Sequence, residues 1–293
     1  MYPRPIEEYH RPTSLQEALQ LAGSGSGETV FIAGGMSLMQ ALKSRVMQAD
    51  RIIDLNRVAG LRGVGTEAGG LVIGAMTRHR DLAAMAGQLG AYEALADAAR
   101  HVGDRQVRNR GTIGGSLSWN YVAACLPTVA LACGAEVRSV RPSGETLATP
   151  IDAFQQGPLS TALEAGEIVT AIAFPAPPPG AGSAYCKWGI VTDALPVIGV
   201  CAFVETGAGR ITGGRFAVTG LQDGPARSAA AEAAMRGGID AGDRAAMAAC
   251  AAAAAEELAP EGDAWVSGDY KSELIVQLGQ KMLATAAARA VGG

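Results

Sequence analysis

The residues with the clearest chemical potential in this 293-residue chain are two glycine pairs, each beside a hydroxyl side chain. The first lies in Phe31-Ile32-Ala33-Gly34-Gly35-Met36-Ser37-Leu38, the second in Asn109-Arg110-Gly111-Thr112-Ile113-Gly114-Gly115-Ser116. Glycine lets the backbone turn sharply and lets a ligand approach without a Cβ in the way. Successive N–H groups in such a turn form a concave nest that attracts an anion. Two nests brought together by folding would hold a diphosphate from both sides, which points to a bound dinucleotide. Ser37 and Thr112 or Ser116 would add hydroxyl bonds, and helix N-termini would add a favourable dipole.

Other chemistries find no support. The first turn lacks G-x-G-x-x-G and the P-loop lysine pattern. No G-x-S-x-G elbow or triad setting is present, so any redox chemistry must come from a cofactor. The cysteines Cys125, Cys133, Cys186, Cys201 and Cys250 form no C-x-x-C pair and no zinc or iron–sulfur spacing. They read as small core residues of a reduced, cytoplasmic protein. His10, His79 and His101 match no metal motif. The net charge of −4 offers no footprint for nucleic acid or an anionic membrane. The start, Met1 to Glu8, is polar and has no apolar signal core. The uncharged stretch 111–135 is long enough to span a bilayer, but its glycines, Asn120 and Pro127 mark it as a turn followed by a short buried helix.

The elements that must position these loops follow from patterning. Thr13 or Ser14 caps a helix from Leu15, with Glu17 at the acid position of a capping box if Ser14 is the cap. After a Gly/Ser loop, Thr29–Ala33 is a buried strand. Ser37 caps a helix over 38–47, and Arg51–Leu55 is the next strand, giving a β-turn-α-β unit. A hairpin is expected over 61–75, a helix capped by Thr77 over 78–83, and another over 91–101. The second glycine pair follows as a turn, then a helix near 123–133 and strands at 135–140 and 167–174. The run Pro175 to Gly182 is the clearest boundary. Beyond it, β-prone runs at 183–188, 197–205 and 215–221 suggest an antiparallel sheet. Alanine-rich helices at 226–236 and 243–259 follow, and a final helix over 270–291 closes the sequence.

On these residues the chain resembles the FAD-binding medium subunit of the molybdenum hydroxylases, a family that includes the carbon monoxide dehydrogenase medium subunit and the flavin domain of xanthine dehydrogenase. The likeness begins at Tyr9-His10-Arg11-Pro12-Thr13-Ser14-Leu15. It continues through Ala33-Gly34-Gly35-Met36-Ser37-Leu38, Ile53-Asp54-Leu55 and Ile73-Gly74-Ala75-Met76-Thr77, and is strongest over Arg108 to Leu117. The resemblance implies an α+β protein with a two-subdomain FAD fold of the p-cresol methylhydroxylase/vanillyl-alcohol oxidase type. The FAD-binding domain would cover 1–176, with subdomains about 1–57 and 58–176. A C-terminal domain of antiparallel sheet plus helices would cover 183–293. It also implies a small subunit with 2Fe–2S clusters, a large subunit with the molybdenum cofactor, and a heterotrimer or a dimer of heterotrimers. Electrons would pass from the clusters to FAD and on to O₂, NAD⁺, a quinone or another carrier.

Carried over by position, the first loop (Ile32, Ala33, Gly34, Gly35, Met36, Ser37, Leu38) and Thr112, Gly114, Gly115 and Ser116 would hold the FAD diphosphate. Lys187 would stand near the isoalloxazine ring, and Val102 and Val169 would pack around the flavin. The chain departs from the family at Cys125, where an Asp commonly bonds the flavin, and at Met36, which replaces a frequent His or other polar residue. A thiol is a poor acceptor, so the expectation is weaker FAD binding, or compensation by Asn120 or backbone carbonyls. Alternatively Cys125 is a buried small residue. Two other readings stay open: a flavin-free structural or assembly subunit of the same complex, and a stand-alone FAD oxidoreductase.

Overall fold

Three layers of sheet follow one another along the chain. In the computed structural model, which describes residues 5–24 and 27–291, strand Arg51–Asp54 is the centre of a three-stranded parallel sheet, flanked by Glu8–His10 and Thr29–Ile32. Its residues are all buried, as the apolar pair Ile52-Ile53 requires. The strand at Glu8–His10 had no periodic signal to announce it. Met1–Arg4, the middle of the Gly/Ser loop at Gly25 and Ser26, and Gly292–Gly293 lie outside the described residues.

The second sheet is five-stranded and antiparallel, in the order Val64–Glu67, Gly70–Gly74, Ile168–Phe174, Glu136–Val140, Thr146–Pro150. The hairpin expected over 61–75 is its first pair. Helices Ala94–His101, Ile113–Trp119 and Cys125–Ala132 bury Leu95, Leu117 and Leu126 against Ile73, Val137 and Ile172, all fully inaccessible to solvent.

The third sheet pairs Ala181–Trp188, Ile198–Gly207, Arg210–Thr219 and the short Ala226–Arg227 in antiparallel order. Helices Ala229–Arg236, Arg244–Leu258 and Gly268–Val291 pack on it. The alanine tract does close-packing work there. A Cβ on Gly279 of the last helix would stand 2.7 Å from the Ala251 Cβ, so the two helices meet nearly backbone to backbone. The architecture is the α+β fold expected, with an antiparallel C-terminal sheet backed by helices.

Local expectations met several corrections. Ser14 does cap its helix, accepting from the Glu17 N–H at 3.2 Å, but the Glu17 carboxylate reaches the Thr13 N–H rather than that of Ser14. The helix expected over 38–47 stops at Lys43. Thr77 caps nothing: its hydroxyl bridges Gly63 N–H and C=O, and the helix His79–Ala84 starts from Arg78 without a side-chain cap. Among the described residues, no helix is long and apolar enough to cross a membrane, and no His/Cys/Asp/Glu group is placed to hold a metal ion.

Candidate functional site

Strand Thr29–Ile32 delivers the chain into the first glycine loop, and Gly35 takes the left-handed φ of +75° that turns it. Helix Leu38–Lys43 then begins, with Met39 N–H bonded to Gly35 C=O at 3.1 Å. Among the described residues, no protein acceptor takes the N–H groups of Gly34, Gly35, Met36, Ser37 or Leu38. A continuous run of main-chain donors is therefore open. Ser37 already has helical dihedrals (φ −99°, ψ −49°), so its hydroxyl cannot fold back as the expected cap and is likewise unspent.

The second glycine pair is built differently. It is not a free turn but the first turn of the seven-residue helix Ile113–Trp119. Thr112 is the N-cap, extended at φ −127°, and its Oγ1 accepts the Gly115 N–H at 3.1 Å. Ile113 N–H donates to Thr77 C=O at 3.1 Å, Gly114 N–H to Ala75 C=O at 2.9 Å, and Ser116 N–H to Thr112 C=O at 3.0 Å. These donors are consumed inside the protein. The glycines serve close approach instead: a Cβ on Gly114 would fall 2.6 Å from the Ala75 Cβ. The expectation of two nests is corrected: the first loop is an open nest and the second is a packed helix start.

The two loops do meet. A Cβ on Gly34 would stand 2.3 Å from Arg110 O and 2.8 Å from Gly111 Cα, and one on Gly115 would stand 3.6 Å from the Ala33 Cβ. His79 lies beneath Gly111, whose Cβ would collide with the imidazole at 2.6 Å. Burial, reinforced by the charges of Arg78 and Arg108, lowers the His79 pKa to about 4, so the ring is neutral at neutral pH.

Sequence reasoning missed the residues that join these loops. Asn56 Nδ2 donates to Ala33 C=O at 2.8 Å and to Asp54 Oδ1 at 2.6 Å. Asn56 Oδ1 accepts from Arg78 Nη2, while Arg78 Nη1 donates to Arg110 C=O. Burial opposes ionisation of Asp54, but hydrogen bonds from Tyr9 and Asn56 and the Arg11 charge outweigh it and hold the carboxyl below its usual range. Asn56 follows the quoted run Ile53-Asp54-Leu55 and Arg78 follows Thr77, so both motifs bordered the two bridging residues without containing them.

At the other end, Cys125 is buried beside Lys187, within reach of its charge, and burial raises the thiol pKa. Lys187 is half-buried. Burial lowers its pKa against the opposing pull of Cys125 and Asp193, and its ammonium donates to Ala194 C=O. Val169 and Cys125 belong to the main core, with Val102 packed against its edge. Arg108 also reaches this end, donating to Val102 C=O at 3.1 Å. Asn120 Nδ2 is fixed to Gly157 C=O at 2.8 Å and Ser160 C=O at 2.9 Å, while its buried Oδ1, an acceptor as a carboxylate oxygen is, has no partner among the described residues.

The family model for the FAD binding domain in molybdopterin dehydrogenase matches residues 4–177. The model for the CO dehydrogenase flavoprotein C-terminal domain matches 183–286. The carbon monoxide dehydrogenase medium chain of Hydrogenophaga pseudoflava is 33% identical over 97% of this chain and 98% of its own length. The nicotine 6-hydroxylase medium subunit of Paenarthrobacter nicotinovorans is 31% identical over 97% and 99%. Among solved structures, carbon monoxide dehydrogenase from Hydrogenophaga pseudoflava superposes with a TM-score of 0.90 at 35% identity, over 99% of each chain. Quinoline 2-oxidoreductase from Pseudomonas putida 86 matches with the same TM-score of 0.90 at 26% identity, again over 99% of each chain.

Proposed function

The chain belongs to the FAD-binding medium subunits of the molybdenum hydroxylases, oxidoreductase subunits whose cofactor is FAD, and on that premise we propose that it is the electron-transfer subunit of a heterotrimer. It takes electrons from the 2Fe–2S clusters of a small subunit and hands them to an external acceptor. A large subunit with the molybdenum cofactor oxidises the substrate. The proposal keeps 1–176 as the flavin-binding part and 183–293 as the C-terminal domain, in a cytoplasmic assembly.

The observation that carries this reading is the open run of N–H groups from Gly34 to Leu38. Its donors fit a diphosphate, since each unspent N–H offers a hydrogen bond to an anionic oxygen without displacing an internal partner. The uncompensated guanidinium of Arg78 beside it adds positive charge. In this proposal Ala33 to Ser37 hold the diphosphate on one side. Ser116 and the Thr112–Gly115 helix start close the other. Lys187, Val102 and Cys125 stand around the ring, and Val169 supports them from the core. Bound FAD supplies the redox chemistry through its ring. The protein's part is to fix the diphosphate, exclude water with the apolar wall, and hold the Lys187 ammonium in place.

The test is an absorbance spectrum of the purified chain, with chromatography of any ligand released by heat. Flavin bands near ~450 nm and released FAD are expected. Co-expression with the genes for candidate small and large subunits should yield one complex whose flavin is bleached by substrate. A flavin that substrate never bleaches in the assembled complex would sink the electron-transfer role.

A further inference from the structure

Arg78 is a buried cation without a carboxylate partner. It is 7% exposed, and among the described residues no carboxylate lies within ion-pair distance of its guanidinium. The charges that act on it most are of its own sign, Arg62, Arg110 and Arg80, with Asp81 opposing more weakly. Burial and these charges lower its pKa to about 10, which leaves it protonated at neutral pH. A buried, unpaired charge is expensive unless something compensates it. Hydrogen bonds to two neutral oxygens, Asn56 Oδ1 and Arg110 O, satisfy its geometry but not its charge.

Those bonds also have a direction. One arm of the guanidinium grips Arg110 C=O, the carbonyl that lies against Gly34. The other grips Asn56, whose amide holds Ala33 C=O at 2.8 Å. Ala33, Asn56, Arg78 and Arg110 thus form a bridge from the open nest to the second loop. A planar fork suits this task, because it sets two acceptors at a fixed separation. A neutral side chain could brace two carbonyl groups. A cation there adds a charge that an anion between the loops would neutralise.

We propose that Arg78, braced by Asn56, is a positioning residue for the flavin diphosphate: it locks the two glycine loops in register and supplies the fixed positive charge that the diphosphate neutralises. The inference rests on the reading that the diphosphate lies on the Gly34–Leu38 donors. It assigns the main cation of the site to a residue outside both glycine motifs. It also explains how one nest suffices, since the second loop offers few free donors and the charge comes from below.

The experiment uses the full chain stripped of flavin, with FAD affinity followed by flavin fluorescence across a range of salt concentrations and apoprotein melting measured alongside. Arg78→Met should weaken FAD binding by roughly tenfold or more, the scale of a lost hydrogen bond to a charged group, and should flatten the salt dependence. Arg78→Lys should keep the salt dependence and recover only part of the affinity, because it restores charge without the fork. Asn56→Ala should weaken FAD while leaving the salt slope as in the wild type. An Arg78→Met protein with wild-type affinity and salt slope overturns the proposal. So does one that melts lower yet binds FAD with an unchanged slope, since that is a purely structural role. If Arg78→Met does not fold, Arg78→Lys decides: unchanged affinity removes the role of the fork. Gly35→Val separates the underlying reading, because a β-branched residue cannot hold the φ of +75° there. If FAD binds equally well to Gly35→Val, the diphosphate lies elsewhere and that reading fails. If Gly35→Val loses FAD while Arg78→Met keeps it, only the inference about Arg78 falls.

Discussion

Arg289, in the last turn of helix Gly268–Val291, grips Asp97 through two hydrogen bonds, at 2.6 and 3.1 Å. The same guanidinium donates to Ser183 C=O at 2.7 Å, and Asp97 also accepts the Tyr185 N–H at 3.3 Å. Ser183 in turn accepts the Ala94 N–H at 3.1 Å. The C-terminal sheet and helix are thereby fastened to the helix Ala94–His101, whose far end carries Val102. Packing of the C-terminal sheet and last helix therefore bears on the position of Val102, which the proposed function places beside the flavin.

Breaking this pair should loosen the two halves. A buried ion pair that loses one partner costs about 3–5 kcal/mol, and the Arg289 side chain is 32% exposed, so Arg289→Met should cost about 2 kcal/mol after discounting for solvent screening. The midpoint of urea unfolding measures it. Proteolysis in the proline-rich run 175–180 should also accelerate. An unchanged midpoint would mean that the sheet contacts alone hold the halves together.

Stability should fall in mild acid, with His79 as one cause. Its folded pKa is lowered to about 4 from 6.5, so the unfolded chain takes up the proton first. The neutral ring contributes fully above pH 6.5, and that contribution is lost as pH falls towards 4, to a limit of about 3 kcal/mol. Melting temperature measured between these pH values should drop in the wild type. His79→Leu should flatten that limb, and a variant with the same slope would assign the effect to other groups.

The two glycine loops should respond differently to small substitutions. Gly114→Ala places a Cβ 2.6 Å from the Ala75 Cβ and 2.7 Å from its carbonyl oxygen, an overpacking expected to destabilise the fold by about 2 kcal/mol. Ser37→Ala removes an unspent, exposed hydroxyl. It should leave melting unchanged while weakening FAD by roughly fivefold, the worth of one ordinary hydrogen bond. Equal effects of both substitutions on folding would contradict the division into one binding loop and one packing loop.

That division was only half legible in the sequence. The pair Gly34-Gly35 could be read as a turn between strand and helix because Thr29–Ile32 and Ser37 frame it. Gly114-Gly115 looked the same, since glycines discourage a helix and Thr112 has no acid three residues on to complete a capping box. Tertiary partners decided the matter: Ala75 and Thr77 accept the donors that would otherwise have formed a nest. The Asn56–Arg78 bridge was illegible for a related reason. It joins residues 22 positions apart through a fork and an amide, with no periodicity to betray it. Cys125 is buried, as expected of a small core cysteine, but its nearness to Lys187 joins residues 62 positions apart on a helix and a strand, which no local pattern announces.

Cys125 should be chemically quiet. It is 5% exposed and burial raises its pKa, so little thiolate forms near neutrality. Alkylation at mild alkaline pH, followed by peptide mapping, should leave it unmodified in the flavin-loaded protein and modify it faster once FAD is removed. Equal protection with and without FAD would place Cys125 away from the ring.

Lys187 offers the sharpest electronic test of the ring site. Its ammonium is held by the Ala194 carbonyl and half-buried, which weakens solvent screening. A cation close to the ring favours the added negative charge of reduction, so removing it should make FAD harder to reduce. Lys187→Met should lower the two-electron midpoint potential by about 30–60 mV, where ~30 mV corresponds to ~1.4 kcal/mol of lost interaction. Spectroelectrochemical titration of the holoprotein measures the shift directly. Its lowered pKa is the counterpart of this effect: a lysine already disfavoured as a cation gains most from a negative neighbour, so reduction and protonation of Lys187 should be linked. The midpoint should then fall more steeply with pH in the wild type than in Lys187→Met as the lysine titrates. A potential and pH slope unchanged by the substitution would place Lys187 beyond electrostatic reach of the flavin.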